Sequence, residues 1–234
     1  MTGTLYGLGI GPGDPDLITL KALKILQKAP VVAYPTLEDG DSLARAIVAE
    51  HLDGHHTELP IRIPMAIERK PAQDAYDIAA EDIKAHLEKE QDVAVLCEGD
   101  PFFYGSFMYL FGRIAEHFPV EVIPGVSSLT ACASALQTPL SARNDILTVL
   151  PAPLDNEALR NGIKRADSLA IMKVGRHFDR VRDLVAEMNL TDKARYIERA
   201  TLHNQKILPL ADVPENAAPY FSMILIHKRG QAWK

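Results

Sequence analysis

Three short segments carry residue types whose spacing could do chemistry. The first is Gly7-Leu8-Gly9-Ile10-Gly11-Pro12-Gly13-Asp14-Pro15-Asp16, between a strand-like start, Thr4-Leu5-Tyr6, and a helix-like run from Leu17 to Lys28. Glycines at alternate positions remove Cβ atoms where backbone must approach a ligand closely or adopt positive φ. A turn of this kind at the carboxyl end of a strand is where open α/β sheets bind small molecules. The second segment, Glu98-Gly99-Asp100-Pro101-Phe102-Phe103-Tyr104-Gly105, follows an apolar run ending at Cys97 and mixes carboxylates with aromatics. The third, Pro124-Gly125-Val126-Ser127-Ser128, follows Val122-Ile123. Plainer structural roles coexist with these. Asp100 and Ser127 suit helix N-caps, and Pro101 suits a first helical position.

The spacing excludes two familiar nucleotide sites. A dinucleotide fingerprint starting at Gly9 would need glycine at Asp14, and one starting at Gly7 would need it at Pro12. The second strand ends Val31-Val32-Ala33-Tyr34-Pro35, without the acidic partner expected for a ribose. No Gly-Lys-Ser/Thr follows the first turn, so it is not a phosphate-binding P-loop.

The elements that must position these turns alternate. Strand-like runs at Thr4–Leu8, Val31–Tyr34, Glu58–Ile63, Val93–Cys97 and Glu121–Ile123 are separated by helix-like runs. Those are Leu17–Lys28, capped by Asp16, then Leu43–His51, Gln73–Glu90 and Phe107–Phe118. That alternation predicts βαβ units and a parallel sheet. After Pro124 the order is mixed, ending in Arg195–Glu198, Lys206–Leu210 and Tyr220–His227 with little helix between them. Consecutive strands on short links predict antiparallel pairing. The expected fold class is α/β in two domains: residues 1–124 with a mainly parallel sheet, and 125–234 with a mixed one.

The chain has 234 residues, 47% hydrophobic, enough for proper cores. A net charge of −6 argues against a nucleic-acid binder. No signal peptide is visible, and no apolar stretch approaches membrane-spanning length, so a cytoplasmic protein without a membrane partner is expected. Cys97 and Cys132 read as buried thiols rather than a disulfide or zinc pair. His51, His55 and His56 share a polar loop, but no carboxylate or thiol stands out to complete a site, so no metal is expected.

Taken together, Gly-x-Gly-x-Gly-Pro-Gly-Asp-Pro-Asp-Leu-Ile-Thr, Glu-Gly-Asp-Pro-x-x-Tyr-Gly and Pro-Gly-Val-Ser-Ser resemble the tetrapyrrole methylase family. Its members are S-adenosylmethionine-dependent methyltransferases of corrinoid and sirohaem synthesis. The resemblance runs along nearly the whole chain. Residues 96–110, 172–176 and 197–201 resemble the branch that methylates a bridge carbon of a reduced tetrapyrrole.

The resemblance implies two α/β lobes with a cleft between them, a homodimer, S-adenosyl-L-methionine as methyl donor and a tetrapyrrole polycarboxylate as substrate. Carried over by position, Pro12, Glu98, Gly99, Asp100 and Phe103 would contact the methyl donor. Ser127 and Ser128 would sit near its methionine end, and Met172, Lys173 and Ala200 near its adenine. Gly11, Tyr34, Arg143 and Arg176 would face the substrate. A polycarboxylate needs cationic partners; Arg62, Arg69, Lys70, Arg143, Lys173 and Arg176 are available. Tyr104 and Glu98 are the nearest groups for polar assistance to catalysis. Sirohaem-forming relatives carry an aspartate where Pro35 stands, so their acid–base scheme is not expected here.

Overall fold

Side chains along the three central strands of the first sheet point alternately to two apolar layers, and this alternation builds the first half of the protein. The computed structural model describes residues 2–37, 40–64 and 69–229. The chain divides into two units, Met1–Ser127 and Ser128–Lys234. In the first unit, strands β1 (Leu5–Gly9), β2 (Val31–Thr36), β3 (Thr57–Arg62), β4 (Val93–Cys97) and β5 (Val120–Ile123) form one parallel sheet in the order β3-β2-β4-β1-β5.

One face packs Leu8, Val32, Ala94 and Leu96 against Ala22 and Leu26 of helix α1 (Leu20–Leu26) and Ala44 and Ile47 of α2 (Leu43–Ile47). The other packs Leu5, Val31, Val93, Val95 and Cys97 against Ile83 and Leu87 of α3 (Arg69–Leu87) and Phe107, Leu110 and Ile114 of α4 (Phe107–Ile114). A period of two and burial on both faces are what a parallel strand requires. The connections from β1 to β3 step one way with α1 and α2 on one face. Those from β3 to β5 step back with α3 and α4 on the other. Right-handed crossovers demand that arrangement.

The second unit contains α5 (Ser128–Ala135), β6 (Leu147–Pro151), α6 (Asn156–Arg165), β7 (Ser168–Met172), α7 (Phe178–Glu187), β8 (Ala194–Glu198), β9 (Lys206–Leu208) and β10 (Ser222–His227). Its sheet order is β6-β7-β10-β8-β9. Strands β6 and β7 are parallel; β10 runs antiparallel to both β7 and β8, and β9 antiparallel to β8. Thus β8 and β9 pair as their short link predicts, whereas β10 pairs with β7 and β8 instead of with the preceding β9. Phe178, Val181 and Leu184 of α7 and Leu159 and Ile163 of α6 cover Leu169, Ile171, Tyr196, Ile224 and Ile226.

Three local expectations need correction. Strand β1 runs to Gly9, past the expected end at Leu8, so Gly9 belongs to the sheet rather than to the turn. A Cβ on Gly7 would lie 2.5 Å from the Phe107 ring, so this glycine makes room for α4. The first α-helix starts at Leu20, not Leu17. Ile18 and Thr19 are extended, and Thr19 Oγ1 accepts from the Ala22 amide at 3.2 Å. The cap of the preceding Pro15–Leu17 turn is Asp14, which accepts from the Asp16 amide at 3.0 Å. Pro35 lies inside β2, which is tolerated because β4 pairs with that strand only as far as Ala33.

Buried Asp145 staples the second unit. Its side chain, fully shielded from solvent, accepts from the Ala142 amide at 2.7 Å and from His227 Nε2 at 3.0 Å, and pairs with the Arg229 guanidinium. This joins the turn before β6 to the end of β10. Removing this carboxylate takes away an acceptor of the Ala142 amide and of buried His227, while Arg229, about half exposed, can turn to water. Asp145→Ala should lower the free energy of unfolding by about 2 kcal/mol, read by chemical denaturation.

Candidate active site

The helices that follow β1 and β4 lie on opposite faces of the sheet, although the two strands are neighbours. Between their carboxyl ends the sheet has a topological switch point, where open α/β proteins bind ligands. The three glycine-bearing segments follow β1, β4 and β5, the three adjacent strands at this edge.

These segments meet. Gly11 and Gly99 form a two-way bridge, with amide-to-carbonyl distances of 2.7 and 3.4 Å. Both sit in left-handed conformations, φ +84° and +67°. The Gly125 amide donates to Asp100 Oδ2 at 3.1 Å. A Cβ on Gly9 would lie 2.4 Å from the Gly125 nitrogen, and a Cβ on Gly125 would lie 2.0 Å from the Gly99 carbonyl oxygen. Only glycine permits this approach of three backbones. At this joint peptide group therefore faces peptide group, with no Cβ between them.

Asp100 is largely occupied by its neighbours. Its Oδ1 accepts from the amides of Phe102 and Phe103 at 2.9 and 3.1 Å, while Oδ2 holds Gly125. It is a cap and a tie between two loops. Phe102 packs edge-on against Phe111 and beside Phe107. Phe103 packs edge-on against Tyr104, which holds a left-handed φ of +56°. A non-glycine residue there stores strain, and such strain concentrates at functional loops. Pro12 and Ser127 are partly exposed at the same edge, and Ser128, the first residue of α5, is partly exposed in the second unit.

Glu98 behaves differently. Burial raises its pKa, and hydrogen bonding from its own backbone and from that of Ala44 opposes the rise. A carboxyl so placed can hold or release a proton nearer neutrality than an exposed one. Cys97, one residue earlier, is not a nucleophile, because burial pushes its thiol well up. Cys132 is likewise buried, its thiol pushed up to about 12.

In the second unit, Met172, Lys173, Arg176 and Ala200 gather at another sheet edge. Strands β7 and β8 run in the same direction on either side of β10, so their carboxyl ends lie at the same edge, one strand apart. Met172 and Ala200 are buried, Lys173 half-buried and Arg176 exposed. Lys173, Arg199 and Thr201 all have left-handed φ values, +56°, +50° and +70°. Sequence reasoning did not select Glu198, which is buried here and accepts from Tyr196 Oη at 2.8 Å and Arg199 Nη1 at 3.0 Å. The signal for it was an acid ending an apolar strand.

The other expected substrate contacts have different surroundings within their own units. Tyr34 commits its hydroxyl to Glu58 at 2.6 Å, and Glu58 is gripped by Arg45 through two 2.8 Å bonds that hold its carboxyl down to about 2. Arg143 is exposed on the turn before β6, at the sheet edge opposite Met172 and Ala200. Arg62 and Lys70 are exposed, and the Arg69 side chain lies outside the described residues.

The Glu98 shift has a definite sign in stability. A carboxyl whose folded-state pKa is raised binds protons more tightly when folded. Its favourable contribution is present below its ordinary value of 4.5 and is lost as pH rises through the folded value. Thermal melts of Glu98→Gln against the unaltered protein should therefore shift in favour of the variant as pH rises from 4.5 toward neutrality.

A family model described as Tetrapyrrole (Corrin/Porphyrin) Methylases matches residues 4–214. A precorrin-2 C(20)-methyltransferase of Sinorhizobium sp is 40% identical over 232 residues, covering 96% of this chain and 95% of that protein. The cobalamin biosynthesis protein CobIJ of Mycobacterium tuberculosis (strain ATCC 25618 / H37Rv) is 38% identical over 232 residues and 96% of this chain, which spans about half of that relative's length, 46%. In fold, the chain resembles the crystal structure of a uroporphyrin-III C-methyl transferase from Thermus thermophilus complexed with S-adenyl homocysteine. The TM-score is 0.69 at 23% identity, over 97% of this chain and 92% of that one. Three glycine-bound loops at a switch point, a mixed second sheet and a match over most of its length lead to one conclusion: the chain belongs to the tetrapyrrole (corrin/porphyrin) methylase family.

Proposed function

We propose that this protein is an S-adenosyl-L-methionine-dependent C-methyltransferase that methylates C(20) of precorrin-2, giving precorrin-3A in cobalamin biosynthesis. The observation that carries the reading is the charge and shape of the glycine-walled edge. Segments 9–16, 98–106 and 124–128 contain Asp14, Asp16, Glu98 and Asp100 but no Lys or Arg. A nucleotide phosphate would meet no cation there. A sulfonium nucleoside fits, since its charge is positive and peptide groups can hydrogen-bond its polar parts. The substrate reading is supported by the full-length likeness to a precorrin-2 C(20)-methyltransferase.

The bound methyl donor supplies an activated methyl group on a positively charged sulfur. The chain's own part is alignment, where proximity effects are large. In this reading Pro12, Gly99, Asp100, Phe103, Ser127 and Ser128 hold the donor, and Met172, Lys173 and Ala200 contribute further contacts. Gly11, Tyr34, Arg143 and Arg176 are the proposed substrate contacts. An electron-rich bridge carbon attacks without a strong base, so Glu98 and Tyr104 give polar assistance only. A homodimer and a cytoplasmic location belong to the same reading and rest on family resemblance; light scattering would test the dimer. Among the described residues no helix is long and apolar enough to cross a membrane.

Mass spectrometry of precorrin-2, with and without cobalt, incubated with enzyme and methyl donor tests the proposal. A gain of one methyl at the C(20) bridge is expected, and the two arms show which metal state is used. S-Adenosylhomocysteine should bind and NADH should not; NADH binding alone would favour an oxidoreductase and defeat this reading. In steady-state kinetics Tyr104→Phe should cost less than about tenfold in kcat, below the usual contribution of a general acid or base. A loss of several orders of magnitude would make Tyr104 a proton-transfer residue.

A further inference from the structure

We propose that Asp53, His55 and His56, in the loop between α2 and β3, form a binding site for a divalent transition-metal ion of the zinc class. The histidine cluster is visible in the sequence; its carboxylate partner is supplied by the fold. His56 is the anchor. Its side chain is 2% exposed, and its Nδ1 lies 2.8 Å from the Ala29 carbonyl oxygen. A carbonyl only accepts, so Nδ1 carries a proton and the neutral ring keeps its lone pair on Nε2. That Nε2 is buried with no hydrogen-bond partner. The nearest anionic oxygen, Asp53 Oδ1, is 3.7 Å away, beyond hydrogen-bond range. Buried polar atoms are rarely left unsatisfied. A backbone carbonyl on one imidazole nitrogen is also the arrangement that orients the other toward a metal.

The remaining donors converge on the same point. Asp53 Oδ1 contacts His55 Nδ1, and one ligand atom from each of the three residues lies within 4.8 Å of the others. Tetrahedral zinc with bonds of about 2.0–2.1 Å places its ligands roughly 3.4 Å apart, so small side-chain movements suffice. Gly54, at φ +87°, turns the chain so that Asp53 folds back, its Oδ1 also accepting from the His55 amide at 3.2 Å. Asp53 and His55 are exposed, leaving a coordination position for water. His51, the remaining histidine of this stretch, is not among the three donors. Two imidazoles and a carboxylate, without thiolate, suit zinc, cobalt(II), nickel or copper(II).

This loop lies at the amino ends of β2 and β3, where the Thr57 amide donates to the Pro30 carbonyl at 2.8 Å. The glycine-walled edge is at the opposite ends of those strands. The ion would therefore be structural and apart from methyl transfer.

The test is a zinc titration of the purified chain, freed of any affinity tag, against a chromophoric chelator of micromolar affinity. One equivalent should be taken from the chelator, and zinc should raise the melting temperature. Asp53→Asn and His55→Ala alter exposed side chains and should fold; each should weaken zinc by about tenfold or more and abolish the melting shift. Failure to compete with the chelator, or binding untouched by both substitutions, would overturn the proposal.

Discussion

The close approach of three backbones at Gly9, Gly99 and Gly125 is the constraint around which the first unit is organised. Neighbouring strands lie about 4.8 Å apart, and the loops that leave them ordinarily diverge. Here they are held together by the peptide bridge between Gly11 and Gly99 and by the Asp100 carboxylate on the Gly125 amide. A methyl group at Gly125 would fall inside contact distance of the Gly99 oxygen. The loops can meet only because these positions carry no Cβ. Asp100 supplies the polar half of the same joint, its carboxylate accepting from three amides.

The electrostatics of that edge follow from its composition. Peptide groups and carboxylates form it, and the basic side chains proposed to face a polycarboxylate lie elsewhere in the chain. Glu98 shows the balance of forces most clearly. Burial favours its neutral form, and hydrogen bonding from Ala44 favours the charged one. Burial is the larger effect, so the carboxyl's pKa lies above the ordinary range.

The second unit uses a different device. Insertion of β10 between β7 and β8 aligns the carboxyl ends of two parallel strands across one antiparallel neighbour. Left-handed backbone at Lys173, Arg199 and Thr201 clusters at that edge. Strain of this kind persists only where the surroundings impose it. Buried Glu198, gripping Arg199, is part of that imposition.

The sequence alone determined what depends on neighbours along the chain. Period-two apolar runs specified the strands, and glycine and proline marked the turns. The short links after Arg195 specified antiparallel pairing. Strand order decided the rest. Gly7 reads as a glycine that lets backbone approach a ligand until Phe107, a hundred residues on, is found against it. Asp100 reads as a cap; its bond to Gly125 requires β4 and β5 to flank β1. Arg143 reads as a substrate cation; its place at the edge opposite Met172 follows from the pairing of β6 with β7. Likewise Asp53 shows no sign of meeting His56 until Gly54 reverses the chain and Ala29 fixes the ring. Local pattern encodes conformation through sterics and burial, whereas contacts across strands depend on which strands become neighbours, and only the packed sheet specifies that.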